Sequence, residues 1–229
     1  MNSELKITDP EFSEIFEHFA FGEVINEPCV KLDVTTRCMA ILAALIGCGG
    51  TDAYREMLQY ALDNGVSPIS AKEIAYQAAD YLGYGRMLPF LNITNDVLKQ
   101  NGIALPTARQ ATVTPENRLE KGVRAQAEIF GEHMKEAWKA GHINRWLAAN
   151  CFGDYYTRTG LDLRQREMIT FCFIMAQGGC EPQLTAHTKG NMNLGNDADF
   201  LTSVVSQCLP YIGYPRSLNA IACIKKAAE

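Results

Sequence analysis

At 229 residues, the chain is long enough for one large domain or for two of about 100 residues each. Its hydrophobic share of 47% and charged share of 21% are those of a globular protein and exclude extensive disorder. The net charge of -5, with no cluster of Lys and Arg, excludes a nucleic-acid footprint, and no apolar run approaches the about 20 residues of a membrane-spanning helix.

The polar start MNSELKITDPE does not read as a signal peptide, so a cytoplasmic protein is expected. The first strong element is DVTTRCMAILAALIGC, a buried helix stopped by Gly49-Gly50 as a C-cap, with Asp52 placed to cap the next helix. Two more helices follow, one from near Ser70 and one continuing from Arg86. NGIALPTARQATVTPENR then reads as a linker, with Thr114-Pro115-Glu116 opening a helix that runs to about Ala140. Beyond it come DLRQREMITFCFIMAQ, the turn Gly178-Gly179 and a helix from Glu181 to Asn193. β-branched alternation is missing throughout, which predicts an all-α fold.

The chain repeats itself. Leu32-Asp33, Arg37, Met39 and Gly49-Gly50 recur 129 positions later as Leu161-Asp162, Arg166, Met168 and Gly178-Gly179. After one inserted residue, Gln77, Tyr81, Gly83, Tyr84, Arg86 and Leu88 are matched by Gln207, Tyr211, Gly213, Tyr214, Arg216 and Leu218. The expected organisation is a first domain at residues 1–105, a linker at 106–114 and a second domain at 115–229.

Eight cysteines are scattered through the chain, Cys38, Cys48, Cys172, Cys208 and Cys223 in apolar helical segments, and most read as reduced core residues rather than a disulfide scaffold. There is no Cys-x-x-Cys, and His18, His133, His142 and His187 lack zinc-type spacing, so no metal site is predicted.

FGEV at 21–24 and FGDY at 152–155, the LD-type helix starts, the Gly-Gly turns and above all YIGYPRSLNAI at 211–221 resemble the carboxymuconolactone decarboxylase and alkylhydroperoxidase D superfamily over nearly the whole chain. The resemblance implies a tandem pair of small helical domains, each with its active site on a helical hairpin, assembling as a homo-oligomer, here a trimer of pseudo-hexameric shape. The peroxidase branch carries Cys-x-x-Cys-x-x-x-His at the start of the second hairpin helix and a Glu on the first. Here the stretch runs from Cys180 to His187 with Gln183 in place of the second Cys, and Glu167 matches the acid.

These matches make His187, Glu167 and Cys180 the candidate catalytic residues, and Gln183 and Arg216 the candidate substrate-binding ones. Cys180, at a helix N-terminus, would have its thiolate favoured by the helix dipole. Glu167 beside an imidazole would make an oriented acid and base pair, although Glu167 lies further from the hairpin turn than His187, so helix geometry alone does not bring them together. Arg166 and Arg216 recur as Arg37 and Arg86 in the first copy, which points to ion pairs or subunit contacts; the other reading is a guanidinium binding a substrate carboxylate.

In the first copy Cys38, Thr51, Tyr54 and Leu58 stand where the second has Glu167, Cys180, Gln183 and His187, so the candidate site survives only in the second copy. The resemblance then implies cofactor-free proton transfer or decarboxylation on a small carboxylated lactone or keto acid. Two alternatives stay open. One is a thiol peroxidase using Cys180, resolved by Cys208 or an external thiol. The other is a non-catalytic assembly or ligand-binding protein.

Overall fold

The computed structural model describes residues 4–229; the first three residues of the polar N-terminal stretch lie outside the described residues. The described chain is helical and contains no strand. Helices α1 (Leu5–Thr8) and α2 (Pro10–Glu17) lead through a π-helical segment, His18–Glu23, into α3 (Val24–Asn26). The first copy continues with α4 (Val34–Cys48), α5 (Thr51–Asp63), α6 (Pro68–Leu82) and α7 (Tyr84–Gln100). Helix α8 (Arg118–Phe130) follows, then a 3₁₀ segment at Glu132–Ala140, α9 (His142–Trp146) and a π-helical segment at Leu147–Tyr155. The second copy closes with α10 (Leu163–Gln177), α11 (Glu181–Asn193), α12 (Ala198–Ile212) and α13 (Tyr214–Ala228).

Local chemistry sets most of these boundaries. Asp33 accepts the Thr36 N–H at 2.9 Å to start α4, and Gly49, at φ 80°, ends it in the left-handed region. Asp162 and Gln165 form a reciprocal capping box at the start of α10. Three expectations need correction. Asp52 lies in the first turn of α5 and makes no cap, because the chain already enters the helix at Gly50. Helix α8 starts at Arg118 rather than at Thr114, since the Asn117 side chain accepts the Thr114 N–H and holds a turn there. It stops at Phe130, where Gly131 takes φ 104°, and the chain to Ala140 is 3₁₀ instead.

α4 and α10 form the centre of the molecule, buried on nearly every side. Asp33 and Thr36 line the same small cavity as Asp162 and Gln165, so the N-terminal ends of the two helices meet. Their C-terminal ends meet at Gly47, where a Cβ would lie 2.7 Å from the Phe173 carbonyl oxygen. The two helices therefore run side by side in the same direction. Each copy's third helix packs across the centre: α6 contacts both α4 and α10, and α12 contacts α4 and the N-terminal π-helical segment. Arg166 bonds Gln77 on α6, and Arg37 bonds Gln207 on α12, so the repeated Arg and Gln residues tie each copy to the other.

Candidate active site

The hairpin α10–α11 places Glu167 and His187 together. Glu167 lies 11 residues before Gly178 and Asn191 lies 11 after Cys180, and these two face each other: the Asn191 amide donates to the Glu167 carbonyl at 3.0 Å. His187 is one turn back along α11, within reach of the Glu167 carboxylate, whose Oε2 lies 2.8 Å from His187 Nδ1. Gly190 makes the room, since a Cβ there would sit 2.9 Å from Glu167 Oε2.

The carboxylate is fully buried and the imidazole is 12% exposed. Glu167 Oε1 accepts the Tyr156 hydroxyl at 2.6 Å, so both carboxylate oxygens are occupied by donors. A carboxylate only accepts, so His187 presents Nδ1–H to it and leaves Nε2 for another partner. Phe130 from α8 and Tyr81 from α6 stand edge-on to the imidazole, at 5.3 and 5.5 Å between ring centres. Burial holds both the Tyr81 and Tyr156 hydroxyls protonated, well above the usual phenol range.

Cys180 stands apart from this pair. Its Sγ accepts the Gln177 amide at 3.1 Å, and Gln177 in turn accepts Arg86 Nη1 of the first copy at 2.9 Å. Among the described residues no hydrogen bond joins Cys180 to Glu167 or His187. Gln183 is exposed on α11. Arg216 lies at the boundary between copies, beside Gly178 and near the Cys48 thiol, and mirrors Arg86. Arg166 is fully buried and paired with Glu73 of the first copy at 3.0 Å. Cys208 is buried in the core, with its thiol beside Cys172.

A cavity of about 430 Å³ is lined by Phe130, whose ring stands edge-on to His187, together with His133, Ala186, Lys189, Met192, Asn193 and Ala227; neither Glu167 nor His187 is among its lining residues. A larger one, about 610 Å³, lies between the N-terminal arm, α4 and α5 of the first copy and Pro210 and Tyr211 of the second.

Sequence reasoning missed Tyr156, Thr170 and Phe130, and read Tyr81 and Gln77 only as repeat markers. Thr170 lies three residues after Glu167 on α10, a spacing that would have placed both on one helix face.

A duplicated all-helical fold with one buried carboxylate–imidazole pair, built in one copy and absent from the other, defines the class of protein. Residues 10–96 and 142–226 match the carboxymuconolactone decarboxylase family, and the chain belongs to that family. Over 94 residues it is 30% identical to a 4-carboxymuconolactone decarboxylase of Acinetobacter baylyi, a stretch covering 41% of this chain and 69% of that protein.

Proposed function

We propose that the second copy carries out cofactor-free acid and base chemistry on a small carboxylated lactone or keto acid, with decarboxylation the leading case. The observation that carries this reading is the 2.8 Å contact between the buried Glu167 carboxylate and His187 Nδ1, which orients the imidazole and leaves Nε2 to exchange a proton with substrate. In the decarboxylation, the bond from carbon to carboxylate breaks and carbon dioxide leaves. The electron pair stays on a carbon conjugated to the lactone carbonyl, and His187, having taken a proton from solvent at Nε2, gives that proton to the carbon. Glu167 stabilises the imidazolium before the transfer and fixes the ring during it.

Thiol chemistry at Cys180 has less support, because the thiol's partner is the Gln177 amide rather than the imidazole. The test is turnover of 4-carboxymuconolactone, the compound that the Acinetobacter relative's name specifies, and of related carboxylactones, followed as carbon dioxide release. His187→Ala and Glu167→Gln are expected to lower kcat/KM by about 10²-fold or more, the usual range for a positioned acid or base, and Cys180→Ser to keep activity. Retained activity in His187→Ala with loss in Cys180→Ser would establish thiol chemistry instead, and no turnover with any variant would favour a binding protein. The same reading includes assembly as a trimer, which sedimentation of the purified chain measures directly.

A further inference from the structure

The first copy has lost its own acid and base, yet one of its side chains packs against the imidazole of the second copy's pair and reaches the carboxylate through Tyr156. The Tyr81 ring lies edge-on to the His187 imidazole, and its hydroxyl lies 2.7 Å from that of Tyr156, which donates to Glu167. Tyr156 has one proton, and the carboxylate can only accept, so that proton goes to Glu167. Tyr81 must then be the donor to Tyr156. Thr170 Oγ1, 2.8 Å from the Tyr156 hydroxyl, receives the Gln77 amide at 2.8 Å and passes its own proton to Tyr156 as well. Gln77 is itself held by Arg166 Nη1 at 2.8 Å. Tyr81 and Thr170 thus both donate to Tyr156, which donates to Glu167; Tyr81 and Gln77 come from α6 of the first copy, and the Gln77 amide also donates to the Arg166 carbonyl at 3.0 Å.

The corresponding place in the first copy shows what the network is for. Aligning FGEV with FGDY puts Ile25 at the position of Tyr156, and the 129-residue repeat puts Ile41 at Thr170, Cys38 at Glu167 and Leu58 at His187. These four members of that centre have become apolar or sulfur-bearing. Tyr211, the counterpart of Tyr81, remains, and its buried hydroxyl has no partner. The arginine and glutamine ties between the copies persist on both sides, as Arg166–Gln77 and Arg37–Gln207. The interface is thus kept in both centres, whereas the tyrosine hydroxyl has a partner only where the pair exists.

We propose that Tyr81 is a positioning residue for the second copy's pair: by donating to Tyr156 it polarises and strengthens the Tyr156 bond to Glu167, and so helps the carboxylate hold His187 in the Nδ1–H tautomer with Nε2 free. The first copy is then a required part of the site rather than a relic. Without the Tyr81 hydroxyl, the Tyr156 oxygen loses a donor, and its bond to Glu167, no longer polarised by that donor, weakens. Glu167 becomes a more diffuse acceptor, and the imidazole is no longer bound to one tautomer. The ring of Tyr81 supports the imidazole separately, so replacement by Phe removes only the hydroxyl.

This inference rests on the acid and base reading of the pair for its consequence, but its test needs no turnover. Ring-nitrogen NMR of His187 in the unliganded full chain reads the tautomer directly. Wild type is expected to be predominantly Nδ1–H, with a downfield Nδ1 proton from the bond to Glu167. In Tyr81→Phe and Tyr156→Phe the Nε2–H fraction should rise by about fivefold or more, the ratio corresponding to one net hydrogen bond, and the downfield proton should move upfield. Tyr211→Phe, the same change at the symmetry-related place, should leave His187 at its wild-type signals.

Folded Tyr81→Phe and Tyr156→Phe proteins with unchanged His187 signals would overturn the positioning role. An equal change in Tyr211→Phe would overturn it too, by showing a general loosening. If the tautomer shifts as expected while no carboxylactone is turned over, the proposed reaction fails and the positioning role stands.

Discussion

Glu73 and Arg166 form an ion pair across the two copies with an Oε2 to Nη2 distance of 3.0 Å and essentially no exposure of either side chain. Arg158 closes on the same carboxylate through two nitrogens, at 2.8 and 2.9 Å. Both partners of this pair must stay together, because an uncompensated charge in such surroundings is costly. Glu73→Ala should therefore destabilise the chain by about 3–5 kcal/mol, read as a lowered thermal midpoint. A loss within error of zero would mean that water reaches Arg166.

Asp80 gives a pH signature. Burial raises its carboxyl from the ordinary value of 3.8 to about 7, with the Asp154 charge adding to the rise and the Cys151 thiol opposing it. One of its oxygens is buried without a partner. The folded chain then binds a proton at Asp80 that the unfolded chain has released, so stability contributed by this group is fully present below about pH 4 and falls as pH rises toward 7. Asp80→Asn should remove that slope and make the protein more stable than wild type at pH 8, by about 2–4 kcal/mol, with no gain near pH 4. Denaturant melts at the two pH values decide it.

Gly47 sets opposing effects against each other. Alanine is favoured over glycine inside a helix by about 1 kcal/mol, but its Cβ would lie 2.7 Å from the Phe173 carbonyl oxygen and 2.8 Å from the Ala176 Cβ. Backbone atoms of a buried helix cannot step aside cheaply. Gly47→Ala should thus lower stability by about 1–3 kcal/mol despite the propensity gain. A stabilised variant would show that α4 and α10 separate easily.

Gly190 tests the site rather than the fold. A Cβ there would meet Ile129 and Phe130 side chains at 2.8 Å and Glu167 Oε2 at 2.9 Å. All three are side-chain atoms that can yield, and Glu167 yields by moving away from His187. Gly190→Ala is expected to weaken the downfield His187 Nδ1 proton and, on a turned-over substrate, to lower kcat/KM by about 10²-fold, the scale of an ångström-sized misplacement. Stability should change far less.

Much was legible from residues alone. The duplication could be read because an arginine, a Gly-Gly turn and a Tyr-x-Gly-Tyr-x-Arg block recur in order, and the helices because caps such as Asp33 and Asp162 act within a single turn of chain. Glu167 and His187 could be named from a family pattern but not joined. Their contact depends on the register of a hairpin and on the space left by Gly190, neither of which is a local property.

What only the tertiary structure decided is the origin of the other half of the site. Tyr81 and Gln77 are far from Glu167 in sequence and belong to the copy without the pair, and they meet it because α6 crosses the central helices to lie against α10. A repeat shows which residues correspond to one another. Which copy completes which is settled by packing, since the apolar faces of α4 and α10 are each too broad for a single copy to cover.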